Sequence, residues 1–109
     1  MTPYATPQDT LAYSQRFAER TSTDHFRRIP DPFSPRGAET LHLSSLGMGT
    51  YLGEPDEATD RAYTETAIAA VESGFNVLDS AINYRLQRSE RSLGAALAEL
   101  ERRGFPREQ

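Results

Sequence analysis

The chain has 109 residues, 37% of them apolar, and a formal net charge of −4, which allows one small domain with a modest core. With no cysteine, disulfides, thiolate zinc sites and thiol catalysis are excluded, and no metal site is expected. The acidic balance without a basic block argues against nucleic acid or an anionic membrane as partner, and neither a signal peptide nor a run of roughly 18 apolar residues is present, so a cytoplasmic location is expected.

Five of the seven prolines (Pro3, Pro7, Pro30, Pro32, Pro35) fall in the first 35 residues, and residues 1–38 read as an irregular N-terminal extension. Within it, Asp9–Arg20 is predicted as a short helix with Leu11, Tyr13 and Phe17 partly on one side. Arg27–Gly37 is predicted to be irregular because its prolines interrupt a ladder. From Glu39 the pattern changes. Leu41, His42, Leu43 and Ser44 alternate apolar and polar, as one arm of a hairpin, and a second short strand is predicted over Ser45–Thr50. The loop YLGEPDE leads into a helix over Ala58–Ser73, capped by Asp56 or Asp60, with Ala62, Ala67, Ile68, Ala70 and Val71 facing inward. Gly74 ends it in a left-handed conformation.

Phe75–Leu78 is an apolar run that stops at Asp79, the pattern of a parallel strand covered on both faces. After the polar loop SAINYRLQR a second helix begins, with Ser89 as its expected N-cap. Leu93, Ala96, Leu97 and Leu100 form its inward stripe, and Glu99 pairs with Arg103. Gly104 and Pro106 terminate the helix, and Phe105–Gln109 reads as the approach to a further strand. Strands alternating with helices indicate a parallel α/β architecture, and two βα units do not close a sheet.

The glycines of GMGTYLG (Gly47, Gly49, Gly53) permit two readings. A strand, a glycine turn, a helix and a later acid, Asp79, approximate a dinucleotide-binding fingerprint. In that fingerprint the glycine turn opens directly into the helix whose N-terminus holds the pyrophosphate. Here Gly53, Glu54, Pro55 and Asp56 intervene, and the acids repel phosphate.

The second reading takes the run from Leu43 to Leu100 as a whole. In order, LSSLGMGTYLG, ESGFNVLDSAINY and RSERSLGAAL resemble the N-terminal part of the aldo-keto reductases. The resemblance covers about residues 40–109. It implies an incomplete (β/α)8 TIM barrel of class α/β: an N-terminal hairpin plugging the barrel floor, then about two βα units, with residues 39–109 as the N-terminal part of the barrel. The sequence departs from the pattern in two places. Ser80 stands where threonine is usual, and YRLQRSE replaces the commoner Tyr-Gly start.

The resemblance further implies an oxidoreductase that reduces a small carbonyl substrate with NADPH, NAD not being excluded. Its sites lie on the loops after the strands. Tyr84 takes the position of the proton donor, and Asp79 that of the aspartate holding the partner lysine and lying by the cofactor. Gly49, Thr50 and Tyr51 match the loop near the nicotinamide. A free phenol with a pKa near 10 is a poor acid at neutral pH, and the family answers this with the lysine and a histidine.

All twelve basic residues here are arginine, so the lysine is absent. His25 and His42 precede the first barrel strand and do not match the histidine; His42 is expected to face solvent. The expected function is therefore an N-terminal fragment of an NAD(P)H-dependent reductase, inactive alone and either poorly folded or dependent on partners. A non-catalytic docking protein is the alternative, and a truncated dinucleotide-binding domain the third reading.

Overall fold

The N-terminal helix follows from two residues. Thr6 accepts the Asp9 N–H on its hydroxyl at 3.1 Å, and Pro7, with φ already fixed, occupies the first helical position. A computed structural model describes residues 4–109; residues 1–3 of the expected extension lie outside them. Helix α1 spans Pro7–Arg16, starting and ending earlier than the predicted Asp9–Arg20. Beyond it the Phe17 carbonyl accepts from the Arg20 N–H at 3.0 Å and the Thr21 hydroxyl at 2.9 Å, which turns the chain away from the helix axis.

Strand β1 (Phe26–Pro30) pairs antiparallel with β2 (Thr40–Ser44), Phe26 opposite Ser44 and Pro30 opposite Thr40. This corrects the expectation of irregular chain over Arg27–Gly37. Pro30 closes the strand, at a place where its missing N–H interrupts no ladder, and the prolines beyond it lie in the connection. There Asp31 accepts the Phe33 N–H at 3.0 Å, and Pro35–Gly37 forms a 3-10 turn.

Next comes a βαβ unit. Strands β3 (Met48–Gly49) and β4 (Leu78–Asp79) are parallel, Met48 opposite Leu78 and Gly49 opposite Asp79; β3 is shorter than predicted, and β4 is shorter and shifted to include Asp79. Their close approach depends on Gly47, where a Cβ would lie 2.9 Å from Val77 Cγ1. Between them runs α2 (Glu57–Glu72), capped by the Asp56 carboxylate, which accepts the Thr59 N–H at 2.8 Å. Ala67 and Val71 are buried as predicted, but Ala62 is exposed, because the first turns of α2 overhang a hollow instead of the sheet.

Helix α3 spans Arg88–Arg102 and packs along α2, with Ala67 against Leu93 and Ala96. The expected N-cap, Ser89, lies inside the helix; the cap position belongs to Gln87, which is left-handed and makes no capping bond. The expected Glu99–Arg103 pair is present at 3.1 Å.

The largest side chains of the core come from α1 and the turn after it. Tyr13 and Phe17 are sealed from solvent and pack with Val71, Leu100 and Phe105, and Ile68 and Leu78 join this cluster to the Ala67–Leu93–Ala96 contact. Tyr13 donates its hydroxyl to the Val71 carbonyl at 2.6 Å, and burial pushes its phenol well above the ordinary tyrosine pKa. Asn76 fastens the hairpin to the βαβ unit: its amide nitrogen donates to the His42 carbonyl and its amide oxygen accepts the Ser44 N–H at 2.8 Å. Among the described residues the strands form two two-stranded sheets with no closed barrel, and no helix is long and apolar enough to cross a membrane.

Candidate functional site

The C-terminal ends of β3 and β4 bring together the five residues singled out from the sequence. Gly49 lies beside Asp79 in register. Thr50, fully buried, donates its hydroxyl to the Asp79 carbonyl at 2.8 Å, while its own carbonyl accepts the Ser89 hydroxyl at 2.5 Å. Thr50 and Ser89 therefore fasten both strand ends to the start of α3, a role for Ser89 that its helix-start position concealed. The Asp79 side belongs to an exposed residue. Tyr51, two-thirds exposed, meets the half-buried Tyr84 edge to face, with ring centroids 5.0 Å apart. Above Gly49 there is open space, since a Cβ there would meet nothing within 4 Å.

The histidines lie elsewhere. His25 holds the Gly74 carbonyl through Nε2 at 2.8 Å, edge-on to Phe26 and Phe75. His42, expected to face solvent, is half-buried along a cleft on the hairpin.

Sequence reasoning gave no role to Arg85, which follows Tyr84 directly. Its side chain is 1% exposed and bonds Asp60 at 2.6 Å and the Glu54 carbonyl at 3.0 Å, with the guanidinium 4.9 Å from the Tyr63 ring. These contacts pin the Tyr84 loop to the first turn of α2. They hold an uncommon backbone, for Arg85, Leu86 and Gln87 have φ of 49°, 56° and 71°. Left-handed conformations cost side-chain-bearing residues about 1–2 kcal/mol each, so the loop persists only because its surroundings fix it. A left-handed φ is what glycine accepts readily, and nothing in the local sequence YRLQR marks these positions for it.

Two hollows flank the loop after β3. One, of about 380 Å³, is lined by Met48, Gly49, Leu52, Ala62 and Tyr63; the other, of about 480 Å³, by Tyr51, Leu52, Asn83, Arg85 and Leu86. Leu52, which lines both, and Leu86, which lines the second, are exposed, so each hollow has an apolar edge.

For a nicotinamide cofactor, the open space over Gly49 and the exposed Tyr51 ring suit a flat ring. The phosphates find less. Arg85 and Arg88 bind Asp60, and Arg91 bonds the Gln87 and Leu86 carbonyls. The N-terminus of α2 is occupied by the Asp56 carboxylate, which the Thr59 hydroxyl and N–H, with the Arg85 and Arg88 charges, hold below its usual range. The dinucleotide fingerprint loses its physical basis on the same ground, because Asp56 caps the helix end that a pyrophosphate would need. Among the described residues no cluster of three or more His, Asp or Glu suits a metal ion.

No family model matches this chain, and no solved structure matches it.

Proposed function

We propose that residues 40–109 supply the substrate-facing half of a carbonyl reductase site of the aldo-keto reductase kind, within the first two βα units of a (β/α)8 barrel. The observation that carries this reading is the convergence of Gly49, Thr50, Tyr51, Asp79 and Tyr84 at one end of a parallel strand pair. Loops at the C-terminal ends of parallel strands are where α/β folds present reacting groups. The left-handed backbone at Arg85, in the place of the commoner glycine, supports it too.

A bound reduced nicotinamide supplies the hydride. Tyr84 gives its phenolic proton to the carbonyl oxygen as the carbon is reduced, and Tyr51 packs against the Tyr84 ring and holds it in place. The Asp79 carboxylate pairs with an ammonium brought from outside these residues, since the sequence holds no lysine. Such a cation stabilises the negative charge that develops on the phenol oxygen as its proton leaves.

The test is a chimera in which residues 40–109 replace the matching segment of an active aldo-keto reductase barrel. NADPH oxidation dependent on an aldehyde is expected; a folded chimera without turnover contradicts the reading. The 109-residue chain alone is expected to oxidise no NADPH with the same aldehyde.

A second reading, a docking module, is favoured by the exposed apolar edge that Leu52 and Leu86 give these hollows. A discrete protein partner whose binding is lost on Leu52→Ser and Leu86→Ser would support it.

A further inference from the structure

The cleft at the other end of the molecule has a chemistry unlike the rest of the surface. It lies between the C-terminal half of α1, the turn after it and the β1–β2 hairpin, and has a volume of about 550 Å³. Ser14, Ser22, Thr23, Phe26, Arg28 and His42 are among its lining residues, and no carboxylate is, although the chain carries a net charge of −4.

Arg28 and His42 are directly opposed in the hairpin register, so their side chains leave the same face of the ribbon. Neither the Arg28 guanidinium nor the His42 imidazole has a bonding partner among the described residues, whereas Arg16, Arg85 and Arg103 are each bonded to the protein. The hydroxyls of Ser22 and Thr23, both exposed, are likewise without protein partners among the described residues. The C-terminal end of α1 turns the negative end of its dipole toward this cleft, an opposition that Arg28 and His42 must outweigh and that hydrogen bonds to its carbonyls reduce. Those of Ser14 and Gln15 accept the Phe17 and Ala18 N–H groups, and that of Phe17 accepts from Arg20 and Thr21.

We propose that this cleft binds a phosphate monoester. Arg28 grips two phosphate oxygens through its planar fork, His42 donates a ring N–H from the neighbouring strand, and Ser22 or Thr23 donates from the loop. Phe26 forms the apolar wall for the organic part of the ligand. This site shares no residue with the strand-end site and does not depend on its function.

The experiment titrates the full chain with phenyl phosphate, following the Arg28 side-chain N–H and His42 ring resonances by NMR at constant ionic strength. Saturable shifts are expected at both residues, with binding weakened roughly tenfold or more in Arg28→Ala and in His42→Ala. Benzoate, which shares the ring but presents a planar monoanion, is expected to bind at least several-fold more weakly. Shifts that do not saturate, that persist unchanged in both variants, or that benzoate reproduces at equal concentration would overturn the proposal. Thermal midpoints of the two variants, expected to match the parent, separate lost binding from lost folding.

Discussion

Side chains at Arg85, Leu86 and Gln87 occupy backbone conformations that glycine adopts without penalty. Gln87 is exposed and its side chain makes no capping bond, so Gln87→Gly removes strain without removing a contact. It is expected to raise the urea midpoint, by about 1 kcal/mol of stability after the entropy cost of glycine. Arg85→Gly relieves the same strain but deletes the ion pair with Asp60 and the bond to the Glu54 carbonyl. Its net effect is expected to be a loss of about 2 kcal/mol, read from the same denaturation curves. An Arg85 variant as stable as the parent would show that the guanidinium does not hold the loop. The special backbone was not legible from the sequence, because Arg85, Leu86 and Gln87 are not residue types that favour a left-handed φ. Nor was the depth to which Arg85 is buried, because its partners lie 25 to 31 positions away.

The helices and the parallel strands show how far periodicity reaches. Both βα units were legible because their apolar stripes, the Asp56 cap and Gly74 agree locally about where each element begins and ends. Strand β1 was hidden, since its own proline and those following it suggest loop until the register shows Pro30 at the strand's last position. Helix α1 was predicted with the wrong ends and an unclear inner face, because only Tyr13 and Phe17, four residues apart, carry its contribution to the core. That element carries a group whose titration links the fold to alkaline pH. The Tyr13 phenol titrates higher folded than unfolded, so the folded state holds its proton more tightly, and the stability it confers is present in full below about pH 10. It is lost as pH rises from there toward the folded-state value. Parent protein is therefore expected to lose stability steeply above about pH 10, and Tyr13→Phe to show a shallower slope in that range. At neutral pH the variant is expected to be weaker by about 1 kcal/mol, because the Val71 carbonyl loses the Tyr13 hydroxyl and keeps only the longer bond from the Gly74 N–H at 3.3 Å. Equal alkaline slopes in the two proteins would place the titrating group elsewhere.

At the scale of the whole molecule, the hairpin with α1 forms one end and the βαβ unit with α3 the other, joined through the aromatic core and Asn76. The order of elements alone placed Asp79 and Tyr84 at a strand end; singling out these two with Gly49, Thr50 and Tyr51 rested on the resemblance of the motifs. The surroundings of the site were not legible, because the Thr50–Ser89 bond and the Arg85 anchor depend on how α3 settles against β3. The convergence at the strand ends gives the central claim its most direct test, which is the phenol of Tyr84 in the barrel chimera carrying residues 40–109. Tyr84→Phe keeps the ring contact with Tyr51 and removes only the proton, so it is expected to lower kcat for aldehyde reduction by about 10²–10⁴-fold while NADPH binding is unchanged. A chimera that turns over aldehyde equally well with phenylalanine at that position would contradict the account.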